Sequence, residues 1–337
     1  MMTTTTTMPT TATPAMTMRR ARGVRGATRA TRSTTTRSTS TTTTTTTTRT
    51  STLTSASLQD DAKVVVVGAN GKTGAACVEY LRANTQCGTI IAGTRQGTYA
   101  KGESSADGRV RAMEVNVAEA SAAELANAFR GAKAVIFAAS QSQSGGDAAK
   151  VDRDGVISCA KACLRADVER FVIVSSGAVS KPASPVYIFL NLFGGIMRNK
   201  ILGEDAVRAL YFDRPGRAYT VVRPGGLTED PARGVSAVEL NQGDTTSGRI
   251  SRNDVAAICV ESITREDAAN ATFECYYRDS AKSLGEVGLS NMMKATSAEG
   301  EVPQTGKERR GESWDALFAG LVADAPGAKQ QGEGFTL

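Results

Sequence analysis

Three glycines spaced three apart, Gly68, Gly71 and Gly74, follow four valines in the stretch VVVVGANGKTGAA, with Lys72 and Thr73 inside the loop. A glycine turn that leads from a strand into a helix presents backbone N–H groups at the positive end of the helix dipole, which suits phosphate. Two kinds of phosphate site share this look. A nucleoside-triphosphate loop needs G-x-x-x-x-G-K-[ST]. Counting back from Gly71 puts its first glycine at Val66, inside the strand, so spacing excludes it. The alternative, G-x-x-G-x-x-G, is satisfied in the strand-to-helix context where it receives a pyrophosphate. Gly68 permits the tight turn, Gly71 lets the backbone approach the ligand, and Gly74 lets the helix pack closely on the strand.

A pyrophosphate in that position belongs to a dinucleotide, and the end of the second strand tells which. An NAD site carries an acid there for the ribose 2′-hydroxyl. Here GTIIAGTRQG offers Arg95 and no acid, and Lys72 adds a second cation. Two cations favour a 2′-phosphate, so NADP(H) is the expected cofactor, with NAD as the alternative.

The elements that must position these residues alternate. KVVVV is an apolar run without polar alternation, as for a strand covered on both faces. TGAACVEYLRAN reads as a helix, GTIIAGTR as a strand, RAMEVNV as the next segment and SAAELANAFRG as a helix, followed by the strand AKAVIFAAS. A helical stretch from about Ala148 to Ala166 precedes the strand ERFVIVSSG. A helix over much of Tyr187 to Leu210, the strand AYTVVRPGG, a helix in SRNDVAAICVESIT and a strand in ATFECYY complete the series. This repetition implies an α/β fold with a doubly wound parallel sheet, a Rossmann fold. From Asp279 the pattern weakens. GESWDALFAGLVAD reads as one terminal helix and GAKQQGEGFTL as a frayed tail. The organisation expected is a leader at 1–58, a dinucleotide-binding domain at 60–278 and a C-terminal extension at 279–337.

Composition sets the leader apart. Residues 1–59 contain no Asp, Glu or Lys, are dominated by Thr, and carry eight Arg. A tract such as TTTTTTTT has no apolar surface to offset its ordering entropy. Hydroxylated, Arg-bearing and acid-free is the pattern of an organelle transit peptide, plastid before mitochondrion, because Thr and Ser dominate without an amphipathic helix. The whole chain has 40 basic and 34 acidic residues, and without the leader's eight Arg the balance is 32 to 34. The basic excess belongs to the leader, so nucleic acid is not expected as a partner. No apolar run reaches the ~18 residues of a membrane span. The longest approach, VYIFLNLFGGIM, is broken by Gly194 and Gly195. Six Cys are scattered without a CxxC pair, and there is no His, so a metal site is not expected and a reducing compartment fits. Cys159 and Cys163, four apart on a helix, read as packing thiols before a redox pair.

In this order, VVVVGANGKTG, AVIFAAS, RFVIVSSGAVS, NKILGEDAVRAL, YTVVRPGGL and ISRNDVAAICVESI resemble the atypical short-chain dehydrogenase/reductases, in their NAD(P)-binding NmrA-like branch. The resemblance spans about Lys63 to Tyr277 and looks most like plant and algal plastid members. It implies that Gly68, Asn70, Gly71, Lys72, Thr73 and Gly74 cradle the pyrophosphate and that Arg95 meets the 2′-phosphate. Asn116 and Val117 stand where the family has an acid and an apolar residue by the adenine. Ala138, Ala139 and Ser140 would line the ribose side, and Pro224 and Gly225 the nicotinamide. The catalytic Tyr-x-x-x-Lys pair of the superfamily puts both side chains on one helix face. Here Lys200 is present, but Ile196 stands in the Tyr position. Ser176 sits near the usual serine, and Tyr187 is thirteen residues before Lys200.

Two functions remain open at this level. One is an NADPH-dependent plastid reductase of a small hydrophobic or electron-poor substrate, working without the tyrosine, with VYIFLNLFGGIM as a pocket wall. The other is a non-catalytic NADP(H)-sensing protein, with that segment docking a membrane-associated plastid protein. A closed pocket favours the first, and an exposed apolar patch the second.

Overall fold

The computed structural model describes residues 58–102, 108–141, 146–285 and 305–330. The transit reading falls on residues outside these, except Leu58, which is buried in the core. The chain runs β1 (Lys63–Val67), α1 (Lys72–Asn84), β2 (Thr89–Thr94), β3 (Val110–Glu114), α2 (Ala122–Phe129) and β4 (Ala134–Phe137). A π-helical turn, Ala149–Gly155, feeds α3 (Val156–Arg165), then β5 (Arg170–Val174), α4 (Pro185–Asn191), α5 (Ile196–Tyr211) and β6 (Ala218–Pro224). Next come β7 (Gly226–Thr228), β8 (Val238–Asn241), β9 (Thr246–Ser247), β10 (Arg249–Ser251), α6 (Arg252–Glu261), β11 (Ala271–Tyr277), β12 (Lys282–Ser283) and α7 (Trp314–Phe318).

Among the described residues, eight strands form the main sheet in the order β3-β2-β1-β4-β5-β6-β11-β8. All neighbours are parallel except β8, which runs antiparallel to β11. The valines of β1 show why the sheet is wound on both sides. Val64 and Val66 join the core on one face, with Cys77 and Leu81 of α1 and Ile258 of α6. Val65 and Val67 join the core on the other, with Leu125 of α2, Cys159 of α3 and Val207 of α5. Successive side chains of a strand point to opposite faces, so a strand inside two helix layers must be apolar at every position. Each fully buried valine contributes about 1.5–3 kcal/mol. The strand order reverses between β2 and β4 on either side of β1, and such a switch point opens a crevice at the carboxyl ends of the strands.

Local details depart from the expected pattern in four places. The helix expected across Tyr187–Leu210 is two helices, because Gly194 (φ 69°) and Gly195 (φ 71°) are both left-handed and end α4 before α5 starts. The helical stretch from Ala148 opens as a π turn. An eighth strand, VELN, closes the sheet beyond β11, and its outer edge bonds Arg309, with Leu240 N donating to Arg309 O at 3.0 Å and Arg309 N to Leu240 O at 2.8 Å. This bridge blocks the middle of the edge against pairing with another strand. The terminal helix is only Trp314–Phe318, followed by Gly320 at φ 78°. Phe318 is buried and meets Phe273 edge-on at 5.8 Å.

Candidate functional site

The glycine loop links β1 to α1 at the switch point. Gly68 has φ 81°, and a Cβ there would lie 2.7 Å from the Ala139 backbone. At Gly74 a Cβ would lie 2.2 Å from Gly68 O. These two contacts hold the loop against the end of β4 and seat α1 directly on the turn. Gly71 is the N-cap of α1 and brings no side-chain cap, so the N–H groups of the first turn face outward without a side-chain acceptor from the cap. Asn70 braces the adjoining loop: its Nδ2 donates to Thr98 O at 2.9 Å and its Oδ1 accepts from Ala100 N at 2.8 Å. Arg95, just past β2, is exposed and makes no hydrogen bond or ion pair among the described residues.

A cavity of about 410 Å³ opens beside the loop. It gathers Thr73, Ala138, Ala139, Ser140, Ser176, Lys200, Pro224 and Gly225, eight of the sixteen sequence-selected residues, from the carboxyl ends of β4, β5 and β6 and from α1 and α5. Val186, Leu190, Ile196, Met197 and Leu227 supply an apolar wall. Asn116 and Val117 lie apart from it, beyond β3. Asn116 Nδ2 donates to Glu119 at 2.9 Å, while Val117 is buried and packs against Gly155. Lys72 is turned to Glu229, 2.8 Å away, which also takes Arg252 at 2.6 Å. Glu229 thus straps the glycine loop to the start of α6.

The polar centre of the cavity is Lys200. Its Nζ donates to Asp152 Oδ1 at 2.9 Å, with the lysine side chain 12% exposed and the aspartate 0%. Asp152 also accepts from Ser140 Oγ at 2.7 Å and Gln141 N at 2.9 Å. One buried carboxylate therefore fixes the lysine, the hydroxyl at the end of β4 and the backbone beyond it. An ammonium has three donors, so Lys200 keeps N–H groups for the cavity. Ile196 lines the same cavity one turn earlier and offers no proton. Tyr187 is buried beside Met197 and Ile201 and is not among the cavity residues. Ser176 lines the cavity and turns its Oγ to Gly177 O at 3.1 Å.

Beneath Ser176 and Lys200 lies a buried charge cluster. Ser175 Oγ donates to Glu204, whose Oε2 takes Arg223 at 2.6 Å and Arg208 at 2.8 Å. Burial alone would raise the Glu204 pKa, but Arg223 and Arg208 outweigh it and hold the carboxyl down at about 2. Asp244 accepts from Ala178 N at 2.6 Å and Ser180 N at 2.8 Å, fixing the loop after Ser176. Glu274 accepts from Asp244 N at 2.9 Å. Its carboxyl is pushed up to about 8, by burial first and the Asp244 charge second, against the pull of Arg223. Such a cluster holds its members in one arrangement because breaking any pair strands a buried charge.

Asp152 and Glu229 escaped the reading of the sequence. Asp152 carried a signal: at i, i+4, i+7 and i+11 it shares a helical face with Val156, Cys159 and Cys163, all buried. An acid on a buried face needs a partner. Glu229 lies on a loop and carried none. The six cysteines are free and buried, and burial pushes the Cys159 and Cys163 thiols up, away from the reactive thiolate.

Residues 68–266 match the NAD(P)H-binding family. The chain belongs to that family. It is 33% identical over 228 residues, 65% of this chain and 78% of the relative, to an uncharacterized chloroplastic protein of Arabidopsis thaliana. An oxidoreductase from Lactococcus lactis superposes with a TM-score of 0.53 at 20% identity, covering 70% of this chain and 100% of that one. A short-chain dehydrogenase/reductase from Veillonella parvula, in complex with NADP, superposes with a TM-score of 0.50 at 19% identity, covering 65% and 96%. These likenesses carry the fold: an NAD(P)-binding Rossmann sheet with reductase-like neighbours. The bare N–H groups at the head of α1, set by the close backbone packing at Gly68 and Gly74, fit a pyrophosphate.

Proposed function

We propose that the chain is an NADP(H)-dependent reductase of a small hydrophobic or electron-poor substrate. The observation that carries it is the cavity itself, an apolar chamber beside the glycine loop with one oriented ammonium, Lys200, held by buried Asp152. The bound cofactor would supply a hydride from its nicotinamide ring. Gly68, Asn70, Gly71, Thr73 and Gly74 would hold its pyrophosphate, and Arg95, exposed and unpartnered among the described residues, its 2′-phosphate. Asn116 and Val117 would flank the adenine, Ala138, Ala139 and Ser140 the ribose, and Pro224 and Gly225 the nicotinamide. Lys200 would orient the ribose hydroxyls and favour negative charge growing on the substrate. The apolar wall would hold an apolar substrate against the reacting face. With Ile196 in the tyrosine position, the proton comes from water or from the Lys200 ammonium. The acid-free leader and the chloroplastic relative support a plastid location.

Stopped-flow absorbance of bound NADPH, challenged with quinones, flavins, tetrapyrroles and enones, tests this. Oxidation by at least one acceptor is expected, slowed tenfold or more in Lys200→Ala. Tight NADPH binding with no oxidation by any acceptor would overturn it. That result would favour the NADP(H)-sensing reading, which the exposed Ile188, Leu192 and Phe193 support.

A further inference from the structure

The segment VYIFLNLFGGIM has two faces. Val186, Leu190, Ile196 and Met197 turn inward and wall the cavity. Ile188, Phe189, Leu192 and Phe193 turn outward, at 54%, 36%, 75% and 55% exposure. They are four of the six large hydrophobic side chains exposed among the described residues, and all lie within one six-residue stretch. Phe189 and Phe193 meet edge-on at 5.5 Å, so the outer face is a preassembled patch. Asn191, the polar residue in its midst, is drawn inward: its Oδ1 accepts from Arg198 N at 3.1 Å. That bond caps α5 and leaves the apolar face unbroken.

We propose that this face docks on an acidic lipid bilayer. A side chain 75% exposed at the tip of a turn projects from the body and does not line a groove. A projecting tip of Leu, Ile and Phe fits a fluid apolar layer, which needs no shape complement. Charge points the same way. Between Glu169 and Glu204 the chain carries no acid, and exposed Arg198 stands beside the patch in the first turn of α5, its backbone N–H bonded to Asn191. A cation beside an apolar tip adds attraction to anionic headgroups. No helix of the described residues is long and apolar enough to cross a membrane, so the contact is peripheral. Because the inner face of the same segment walls the cavity, docking brings the cavity wall to the lipid. Resting on the reductase proposal, this names the substrate class: an apolar, membrane-dissolved acceptor that takes a hydride from NADPH and a proton from water.

The full chain is sedimented with vesicles of equal parts phosphatidylglycerol and phosphatidylcholine, and with vesicles of phosphatidylcholine alone. Binding to the acidic vesicles is expected, weaker with added salt and in Arg198→Glu, and at least about tenfold weaker in Leu192→Ser/Phe193→Ser. These side chains do not line the cavity, so circular dichroism and NADPH binding of the variant should match the parent. Failure of a folded, monodisperse chain to bind either vesicle would overturn the docking. So would self-association that the double variant abolishes, which assigns the patch to a second copy, or vesicle binding that the double variant leaves intact. A second arm compares a long-chain quinone in the vesicles with a short-chain soluble quinone. The double variant should lose turnover of the first and keep the second. Vesicle binding without turnover of either quinone sinks the substrate route and leaves the docking standing, and the reductase itself falls only if flavins, tetrapyrroles and enones also fail to oxidise NADPH.

Discussion

Lys200 on α5 and Asp152 on the π turn before α3 meet at 2.9 Å across the floor of the cavity, and the aspartate side chain is wholly buried. A buried carboxylate of this kind is tolerated only because Ser140, Gln141 N–H and Lys200 all donate to it.

Lys200→Ala should therefore cost more than Asp152→Asn. The first leaves a wholly buried carboxylate without its counter-charge, at about 3–5 kcal/mol. The second leaves an ammonium that lines the cavity and can turn its N–H groups into it. Urea unfolding of both variants should show the larger fall in midpoint for Lys200→Ala. Equal midpoints would mean the pair is not what orients the lysine.

Gly74→Ala and Gly71→Ala should separate along the glycine loop. The new methyl meets Gly68 O at 2.2 Å in the first and at 3.1 Å in the second. Both obstacles are backbone. Gly74→Ala should push α1 off β1, destabilise by roughly 1–3 kcal/mol or more, and abolish dinucleotide binding. Gly71→Ala should weaken binding with a smaller loss of stability. Thermal melts with and without NADPH read both effects.

Arg95→Ala should weaken NADPH at least about tenfold and leave NADH unchanged, since the lost charge-assisted bond concerns only the 2′-phosphate. Nicotinamide fluorescence titrations with the two cofactors check it. An equal loss for both would remove Arg95 from the phosphate site.

Glu274 makes stability fall with rising pH. Its carboxyl titrates at about 8 when folded against an ordinary value of 4.5. Between those values the folded chain holds a proton that the unfolded chain has released, so this group's contribution is full below about 4.5 and lost as pH rises through about 8. The slope is at most about 1.4 kcal/mol per pH unit. Glu204, held at about 2, acts oppositely, losing its contribution as pH falls below 4.5. Denaturant midpoints from pH 5 to 8 should decline less in Glu274→Gln than in the parent. Parallel curves would show that Glu274 is ionised throughout.

The sequence by itself determined the sheet and the phosphate loop, because both are written locally. Four consecutive valines require cover on both faces, and the three-residue glycine spacing requires a turn that no Cβ allows. The same local logic missed β8, since four residues of VELN carry too little pattern, and ran one helix through Gly194–Gly195 where two left-handed residues divide it. Only the tertiary structure decided the partners of isolated charges. Lys72 reaches Glu229 across 157 residues and Lys200 reaches Asp152, because α1, α5 and the π turn converge on the strand ends. It likewise decided that VYIFLNLFGGIM is both wall and surface. Periodicity marks a segment as apolar, but which side chains meet water depends on what the rest of the chain packs against them.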